Sequence, residues 1–391
     1  MDTVEKLGIL GMGARYDMCG CGRVSEDDYI NNGIYRVKTS SGTCSIFKVL
    51  LSNECTRDCA YCQNRIQRDI PRTTIAPEDM ARLFIQLFRQ RKVQGLFLSS
   101  GIQPNSSASM DNLIKTAQIL RQRYNYKGYI HMKILPGAST AHIEAAATVA
   151  NRLSINLEVP DAEHLKMLSR SKRYADLAGG MEYISKLRQK GIRISQTTQF
   201  IVGAADESDR DIVYATWNLK ERFSLARTYF SAFTPVIDTP LENKAPTPLI
   251  RETRLYQVDF LFRQYGFTPD QLVFDNSGHL LQDVDPKTAF ALHNPQLYPI
   301  EINRADYQTL LLIPGIGPIS AKRIEAMRRI GKITDPMQLK ATGAVLKHLL
   351  PFVTINGKYY PSLDAAAKGG QQLTLWDYNA AGNNRAGIIS A

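Results

Sequence analysis

Three cysteines lie within eight residues, in the segment CTRDCAYC at 55–62, with the spacing C-x3-C-x2-C. Thiolates are soft ligands that suit iron–sulfur clusters and zinc. A structural zinc site and a ferredoxin-type cluster normally take four protein ligands. The segment offers Cys55, Cys59 and Cys62 and no histidine. A four-iron cluster held here would therefore keep one iron open for a further ligand. A zinc loop completed by a distant cysteine is the alternative.

The other cysteines show no comparable spacing. Cys19, Cys21 and Cys44 could supply a second cluster, but scattered thiols with no recognisable ligand pattern are more often ordinary buried residues. We therefore expect a single cluster, with an iron content near four rather than eight per chain (about four irons per cubane).

The composition is that of a folded protein with a basic surface. The chain has 391 residues, 44% of them hydrophobic, and 48 Lys and Arg against 37 Asp and Glu give a net charge of +11. This excludes disorder as the main state, and the charge admits a polyanionic partner without proving one. No apolar stretch approaches the roughly 20 residues of a membrane span, and residues 1–6 lack a signal-peptide pattern. We expect a cytoplasmic protein.

Strand-like and helix-like patterns alternate from about residue 43. The β-rich runs are 45–52, 95–100, 128–135, 152–158, 192–202 and 228–234. The helical patterns between them are 77–92, 107–124, 140–151, 161–190 and 206–223, followed by one near 249–265. Serial β-α units without hairpin signals predict an α/β fold with a parallel sheet, curled into a partial (β/α)6 barrel. Ligands on such sheets bind at the carboxyl ends of the strands.

Five segments follow from these patterns. They are an N-terminal cap segment at 1–42, the partial barrel at 43–268, a linker at 269–300, a small all-α module at 301–356 and a flexible Ala/Gly/Asn-rich tail at 357–391.

The cysteine spacing, with Tyr61 before the last cysteine, resembles the radical S-adenosylmethionine (radical SAM) superfamily over about residues 40–270. The resemblance implies a [4Fe-4S] cluster on Cys55, Cys59 and Cys62, with S-adenosylmethionine at the open iron. It also implies reductive cleavage of the sulfonium to a 5′-deoxyadenosyl radical, which abstracts hydrogen from a substrate C–H, and an external electron donor of the flavodoxin or ferredoxin type.

The resemblance also implies cofactor contacts. The turn Ser99-Ser100-Gly101 is similar to the family's turn for the methionine amino group, although the family's usual acid is missing. Further expected contacts are Tyr61, Ser154, Asn156, Glu158, Ile201 and Gly203. Residues near strand ends that could face a substrate are Arg57, Lys127, Tyr129, His131 and Lys133, and for His131 a core or rim position is favoured over catalysis.

A second resemblance lies in the all-α module. Residues 311–324 read LLIPGIGPISAKRI, which resembles the helix-hairpin-helix module that binds the DNA backbone without reading sequence. Glycine turns expose N–H groups at a helix start, where a phosphate can bind. The resemblance implies DNA contacts from Gly315, Ile316, Gly317, Lys322 and Arg323. A plain helical hairpin used for packing is the alternative.

The tail contains QLTLW at 372–376, which resembles the motif by which bacterial repair proteins hold the sliding clamp. The implied contacts are Gln372, Leu373, Leu375 and Trp376. A docking segment that folds back on its own chain explains the motif equally well.

Together these features resemble a family of DNA modification and repair radical SAM proteins, whose members are often paired with a uracil-DNA-glycosylase-like protein. We therefore expect a radical SAM enzyme that repairs DNA or modifies a DNA base. The alternatives are an iron–sulfur DNA glycosylase, a radical SAM enzyme that modifies RNA and a zinc-bound DNA adaptor. The sequence leaves the substrate atom, the fate of S-adenosylmethionine and the oligomeric state open.

Overall fold

The computed structural model describes residues 3–14, 33–39, 42–361 and 371–372. The chain divides into two compact units, Met1–Thr253 and Arg254–Ala391. The division falls inside the helix predicted near 249–265, which the structure places at Leu249–Gln264. No helix in these described ranges has the length and apolar character to cross a membrane.

The first unit is built on one sheet. Its strands are β1 Ile34–Thr39, β2 Gly42–Leu50, β3 Gly95–Ser99, β4 Tyr129–Lys133, β5 Arg152–Ser154, β6 Ser195–Val202 and β7 Arg227–Ala232. Its helices are α1 Thr3–Ala14, α2 Pro77–Arg89, α3 Ser106–Gln122, α4 Thr140–Val149, α5 Ala162–Leu168, α6 Tyr174–Gln189 and α7 Asp209–Phe223, and α8 Leu249–Gln264 spans the division.

The strands lie in sequence order, from β1 to β7, in a seven-stranded sheet. From β2 onward every neighbouring pair is parallel, as the β-α alternation predicts. The sheet is curled into a half-barrel, which confirms the α/β class.

β1 departs from the prediction, because it pairs antiparallel with β2 inside the segment expected only to cap the sheet. The two residues between these strands, Ser40 and Ser41, carry none of the Asn-Gly or Asp-Gly signals that mark tight hairpins.

The two faces of the sheet differ sharply. On the helix face, which packs against the helices, the side chains are apolar and at most 2% exposed at Phe47, Leu96, Met132, Phe200 and Phe230. The opposite face, here called the cavity face, carries polar and aromatic side chains. Alternation along each strand produces this division because successive side chains point to opposite faces.

The long predicted crossover at 161–190 is two helices rather than one. The side chain of Asp161 caps α5 by accepting from His164 N, and Ser169 after α5 is extended. The interruption at 169–173 is a segment that binds the cysteine loop, so tertiary contacts override the local helical pattern there.

The second unit contains short helices and a small sheet. Its helices after α8 are α9 Pro286–His293, α10 Tyr307–Leu312, α11 Pro318–Ile330, α12 Pro336–Ala341 and α13 Leu346–Leu349. Its strands are β8 Ile300–Glu301, β9 Val353–Ile355, β10 Lys358–Tyr359 and β11 Gln371–Gln372, in the order β11-β10-β9-β8.

These elements refine the sequence-based picture of the C-terminal part. The segment 269–300 is not wholly irregular, because it contains α9 and single turns of 3-10 helix at Pro269–Gln271 and Pro295–Leu297. In the tail, Gln371–Gln372 pair with β10. Residues 373–391, including Leu373, Leu375 and Trp376, lie outside the described ranges, as do Cys19 and Cys21.

Candidate active site

One cavity of the first unit opens where the parallel strands end. The strands and the turns that follow them contribute Leu50, Ser99, Ser100, Gly101, Ile102, Lys133, Ile134, Leu135, Pro136, Asn156, Glu158, Gln199 and Ile201. The cysteine loop and its neighbours contribute Gly13, Cys55, Arg57, Cys59, Tyr61, Cys62, Gln63, Asn64 and Lys172. The cavity therefore lies at the edge of the sheet where parallel α/β folds bind ligands.

All three cysteines of the loop line this cavity as free thiols. A tight turn, in which Cys62 N donates to Cys59 O over 3.1 Å, brings the last two together. Burial, with a contribution from Cys59, raises the pKa of the Cys62 thiol to about 12. Coordination to a metal is what stabilises a thiolate in such surroundings. Among the described residues, no three Cys, His, Asp or Glu side chains converge closely enough to hold one metal ion.

The turn after β3 packs directly against the cysteine loop. Gly101 N donates to Ser52 O over 2.6 Å, and Thr56 N donates to Ile102 O over 2.8 Å. A Cβ at Gly101 would collide with the backbone carbonyl of Glu54, so only glycine permits this approach. The predicted Ser99-Ser100-Gly101 turn is thereby held beside the first cysteine.

A buried ion pair lies in the same cavity. Lys172 Nζ is 3.0 Å from Glu158 Oε1 and 2.9 Å from the Tyr61 hydroxyl. Burial lowers the pKa of Lys172, but Cys59 and Glu158 outweigh it and raise that pKa above its usual value. Asn156 Nδ2 lies 3.4 Å from both Glu158 Oε2 and Gln199 Oε1. The cavity thus presents a fixed cation, a carboxylate and two amides beside the cysteines.

The segment between α5 and α6 holds the cysteine loop in place through Asp58. The Asp58 carboxylate accepts hydrogen bonds from the hydroxyls of Ser169, at 2.8 Å, and Ser171, at 2.6 Å, and from Arg170 N at 3.1 Å. Although burial raises it, these hydrogen bonds lower the pKa of Asp58 to about 2. A permanently charged Asp58 therefore ties residues 169–171 to the loop.

Two further contacts extend this junction. Ala60 N donates to Leu168 O over 2.7 Å, so the backbone of the loop is tied to the end of α5. Arg57 donates to Ser171 O over 2.9 Å and to Pro136 O over 3.3 Å. Arg57, expected near a strand end, therefore lines the cavity and links the two segments of its wall that contain Ser171 and Pro136.

Most of the predicted cofactor residues lie together around the cavity, and two do not line it. Ser154 is buried on β5, and its Oγ has no hydrogen-bond partner in the part of the chain that the structure describes. Gly203 follows β6 with φ of +83°, and its N–H donates to the Glu207 carboxylate. Of the residues considered for substrate contact, Lys133 lines the cavity, whereas Tyr129 and His131 lie deeper on β4.

Sequence reasoning missed Lys172 and Gln199. Lys172 stands in a stretch whose apolar spacing looks helical, and nothing local shows that the chain turns there. Gln199 lies in a strand of mixed polar and apolar residues, where alternation alone could have placed it on the same face as Thr197 and Ile201.

A comparison with protein-family models matches residues 49–215 to the radical SAM superfamily. These residues form a radical SAM domain. The matched range contains the three cysteines, β3 to β6 and the Lys172–Glu158 pair, and it covers somewhat under half of the chain. Radical SAM proteins use a [4Fe-4S] cluster and S-adenosylmethionine, and these are the cofactors of this domain. A search of curated proteins gave no match.

A search of solved structures matches this chain to several proteins at low sequence identity. The hydrogenase maturase HydG from Carboxydothermus hydrogenoformans is 15% identical, with a TM-score of 0.44, over 54% of this chain and 49% of that one. Methylornithine synthase (PylB) is 16% identical, with a TM-score of 0.44, over 66% of this chain and 71% of that one. The methyltransferase TsrM from Kitasatospora setae is 13% identical, with a TM-score of 0.39, over 63% and 58%. The chain thus spans about half the length of HydG.

The residues of the radical SAM domain fit its cofactors. The donor set is three free thiols on one loop, which suits a cluster with one open iron. At Gly101 the turn packs so closely against the backbone of Glu54 that no side chain fits there. Cys55, Cys59 and Cys62 would hold the cluster. Lys172, Glu158 and Asn156 line the cavity and would offer charge and hydrogen bonds to the carboxylate, amino and ribose groups of S-adenosylmethionine. When bound, the cluster and S-adenosylmethionine would together supply one-electron cleavage of the sulfonium and a carbon radical.

Proposed function

We propose that this chain is a radical SAM enzyme that acts on DNA, either to repair a lesion or to modify a base. The observation that carries the proposal is a helical hairpin in the second unit whose glycine turn leads into a helix without a side-chain cap.

The hairpin joins α10 to α11 through the turn Ile313-Pro314-Gly315-Ile316-Gly317. Ile313 and Ile316 are at most 1% exposed and anchor the turn in the core of the unit. Ile316 N donates to Ile313 O over 3.2 Å, and Gly315 adopts φ of +78°. The backbone of this turn is thus held rigidly, which favours the binding of a phosphate group by preorganised N–H groups.

The start of α11 is suited to an anion. Gly317 occupies the N-cap position and makes no side-chain cap, and the first turn Pro318-Ile319-Ser320-Ala321 is uncharged. The positive end of the helix dipole is therefore not neutralised by an acid of its own first turn. Lys322 and Arg323 follow on the exposed part of the helix. These features support the DNA contacts expected of Gly315, Gly317, Lys322 and Arg323. The contact expected of Ile316 is not supported, because its side chain is 1% exposed and its N–H and carbonyl already bond Ile313 O and Lys287 Nζ.

A second glycine turn packs against the first. Gly343 adopts φ of +88° between α12 and α13, and Val345 N donates to Gly315 O over 2.9 Å. Arg323 Nη1 donates to Thr342 O over 3.2 Å and links the two hairpins. This pairing, which the sequence analysis did not foresee, gives the proposed backbone-binding surface two turns. Contacts of this kind position a duplex without specifying its sequence.

The proposed division of labour places duplex binding in the second unit and chemistry in the first. A base inside a duplex cannot reach an enclosed cavity, so the target nucleotide must leave the stack. The Lys172–Glu158 pair and the Tyr61 hydroxyl would orient the cofactor beside the cysteine loop. Leu50, Ile134 and Leu135 supply apolar walls that exclude water from the cavity.

Radical SAM enzymes generally require an external electron donor, and we propose a flavodoxin or a ferredoxin in this role. Two further partners are proposed from the sequence. QLTLW at 372–376, with Gln372, Leu373, Leu375 and Trp376, would bind the sliding clamp, and a uracil-DNA-glycosylase-like protein would act with this enzyme. A pull-down with purified clamp tests the first. Unchanged capture of a Leu375→Ala, Trp376→Ala variant would refute it.

The test of the proposed function is 5′-deoxyadenosine release from anaerobically reconstituted protein after dithionite reduction. We expect release with S-adenosylmethionine, stimulation by duplex DNA and none by a matched RNA duplex. The variant with alanine at all three cluster cysteines is the control and should be inactive. No release under any condition would refute radical chemistry. Release that only RNA stimulates would refute DNA as the substrate.

A further inference from the structure

Lys287 contacts the turn between α10 and α11, although it belongs to a different helix, α9. The residue is buried, with 7% of its surface exposed, and its Nζ donates to Ile316 O over 2.6 Å. Lysine is rarely buried, because its ammonium group loses the hydration that it has in water. A cation placed under one carbonyl of a glycine turn therefore calls for an explanation in the use of that turn.

The contact fixes the direction of the next N–H group along the chain. The peptide bond between Ile316 and Gly317 is trans, since the cis bonds of the described residues lie elsewhere. In a planar trans peptide the carbonyl and the N–H point in opposite directions. Because Lys287 holds Ile316 O, Gly317 N–H points away from Lys287. It makes no hydrogen bond within the described part of the chain.

Tyr265, which follows α8, reaches the same turn. Its ring centre lies 4.7 Å from Lys287 Nζ, and a Cβ built at Gly317 would lie 3.2 Å from its hydroxyl oxygen. The hydroxyl makes no hydrogen bond with the residues that the structure describes. Burial, and then Tyr307 and Asp285, raise the pKa of Tyr265, so the phenol keeps its proton at neutral pH. An unused O–H donor and an unused N–H donor are therefore neighbours at the start of α11.

The charge of Lys287 responds to its surroundings. Burial lowers its pKa to about 7, and Asp285 offsets only part of that effect. The Asp285 carboxylate is already engaged as the N-cap of α9, where it accepts from Lys287 N, Thr288 N and the Thr288 hydroxyl. The other titratable or charged groups around the turn are Tyr265 after α8, Tyr307 at the start of α10, Lys322 and Arg323 on α11, and His348 on α13.

We propose that Gly317 N–H and the Tyr265 hydroxyl bind one phosphate group of the DNA backbone, and that Lys287 positions this site by holding Ile316 O and placing its charge behind the turn. This inference rests on the proposed action on DNA and adds two residues from outside the hairpin to the interface. An anion suits the site because two donors meet there and because the first turn of α11 contains no acid.

The charge of Lys287 then makes DNA affinity depend on pH. A bound phosphate favours the charged form of the amine and so raises its pKa. Affinity is therefore highest below pH 7, where Lys287 is charged with and without DNA, and it falls as the pH rises above 7. It becomes level above the raised pKa. We expect a total fall of about tenfold, which corresponds to a shift of about one pKa unit.

The test is fluorescence anisotropy of a labelled DNA duplex with the reconstituted holoenzyme, at constant ionic strength from about pH 6 to 9. Wild type is compared with Lys287→Met, so that the contributions of His348 and other titrating groups cancel. The ratio of wild-type to variant affinity should fall about tenfold as the pH rises. Lys358→Met, at an exposed lysine on β10, is the charge-matched control, and its ratio should stay constant.

A constant ratio for Lys287→Met would overturn the inference. So would a ratio that rises with pH, which is what a lysine acting only on stability would give, because wild type is least stable where Lys287 is charged in its buried position. If Lys287→Met does not fold, the wild-type profile decides the question. Wild-type affinity that does not fall above pH 7 would then overturn the inference.

Tyr265→Phe tests the second donor and keeps the ring beside Lys287. We expect duplex binding to weaken severalfold at every pH, with the wild-type pH profile retained, because one hydrogen bond is lost and the charge remains. Iron content and the unfolding midpoint are the folding checks. Unchanged affinity in a properly folded variant would overturn the assignment of the hydroxyl to the site.

Failure of this inference can be distinguished from failure of the proposed function. Duplex binding with a constant ratio, together with DNA-stimulated 5′-deoxyadenosine release, would overturn the inference and leave the proposed function intact. If wild type bound no duplex at any pH and DNA did not stimulate that release, DNA would be refuted as the substrate.

Discussion

Lys172 Nζ lies 3.0 Å from Glu158 Oε1, and the two side chains are only 7% and 6% exposed. Glu158 follows β5 with φ of +70°, whereas Lys172 stands between α5 and α6. The pair therefore joins the sheet to the segment that holds the cysteine loop, within the cavity that the three cysteines also line.

Lys172→Met should destabilise the protein markedly, because it leaves the Glu158 carboxylate buried without its cation. The expected loss is about 3 kcal/mol of unfolding free energy. Adding Glu158→Gln should recover part of that loss, since no uncompensated charge remains. Chemical denaturation under anaerobic conditions measures both. The control is Lys166→Met at the Lys166–Glu163 pair, whose side chains are 71% and 80% exposed, and it should have no measurable effect. Equal losses at the two sites would contradict the prediction.

Asp58→Asn should loosen the cysteine loop. The amide keeps the size of the carboxylate but removes its charge and one acceptor oxygen, which weakens the bonds from Ser169 and Ser171. We expect iron to leave the reconstituted protein about tenfold faster in the presence of a chelator. Asp69→Asn, at an exposed position beyond the same loop, is the matched control and should release iron at the wild-type rate. Identical rates for all three proteins would show that the Asp58 contacts do not hold the loop.

Lys287 should make the stability of the second unit depend on pH. Burial, partly offset by Asp285, lowers the pKa of Lys287 to about 7, and its Nζ donates to Ile316 O over 2.6 Å. In the unfolded chain the pKa returns to about 10.4. Between these values the unfolded state binds the additional proton, so stability rises as the pH increases from 7 toward 10 and is lowest below 7.

The measurement for Lys287 is the difference in unfolding free energy between wild type and Lys287→Met at several pH values. That difference should change by about 1.4 kcal/mol per pH unit above pH 7 and become flat below it. Any other titrating group contributes equally to both proteins and cancels. A constant difference from pH 6 to 9 would contradict the prediction.

Gly315→Ala should destabilise the proposed DNA-binding turn. Gly315 has φ of +78°, and a Cβ there would press against Val345 O. We expect a loss of about 1–3 kcal/mol, measured by thermal unfolding. Gly331→Ala is the control, because φ is −176° there and a Cβ would meet nothing within 4 Å. Similar losses for the two variants would mean that the turn does not require glycine.

Lys322→Gln should weaken duplex binding to a similar extent for all sequences. If Lys322 contacts a phosphate, its loss reduces the slope of log K against log salt concentration by about 0.9. Fluorescence anisotropy over a salt series measures the slope. Lys358→Gln, an exposed lysine on β10, is the charge-matched control and should retain the wild-type slope. An unchanged slope in the Lys322 variant would remove that residue from the interface.

Much of the first unit could be predicted from the sequence, because its signals are local. Apolar runs at strand spacing alternate with helical patterns, and β2 to β7 lie where those runs are. The resemblance to the radical SAM superfamily predicts cofactor contacts from Tyr61, Ser99, Asn156 and Ile201, and all four residues line the cavity. By contrast, β1 carries no hairpin signal in the sequence. It is held by its backbone pairing with the edge of β2 that β3 does not occupy.

The cysteine spacing, through its resemblance to the radical SAM superfamily, predicted the iron–sulfur cluster from the sequence, because three thiols on one short loop leave one iron of a cubane open. Tertiary structure alone decided that Lys172 and Asp58 belong to the same site. Lys172 meets Tyr61, and Asp58 meets Ser169, across more than a hundred residues of chain. Tertiary structure also decided that Lys48, His131 and Arg152 share one row across the sheet. Strand register sets that row, and register arises from packing between strands that are distant along the chain.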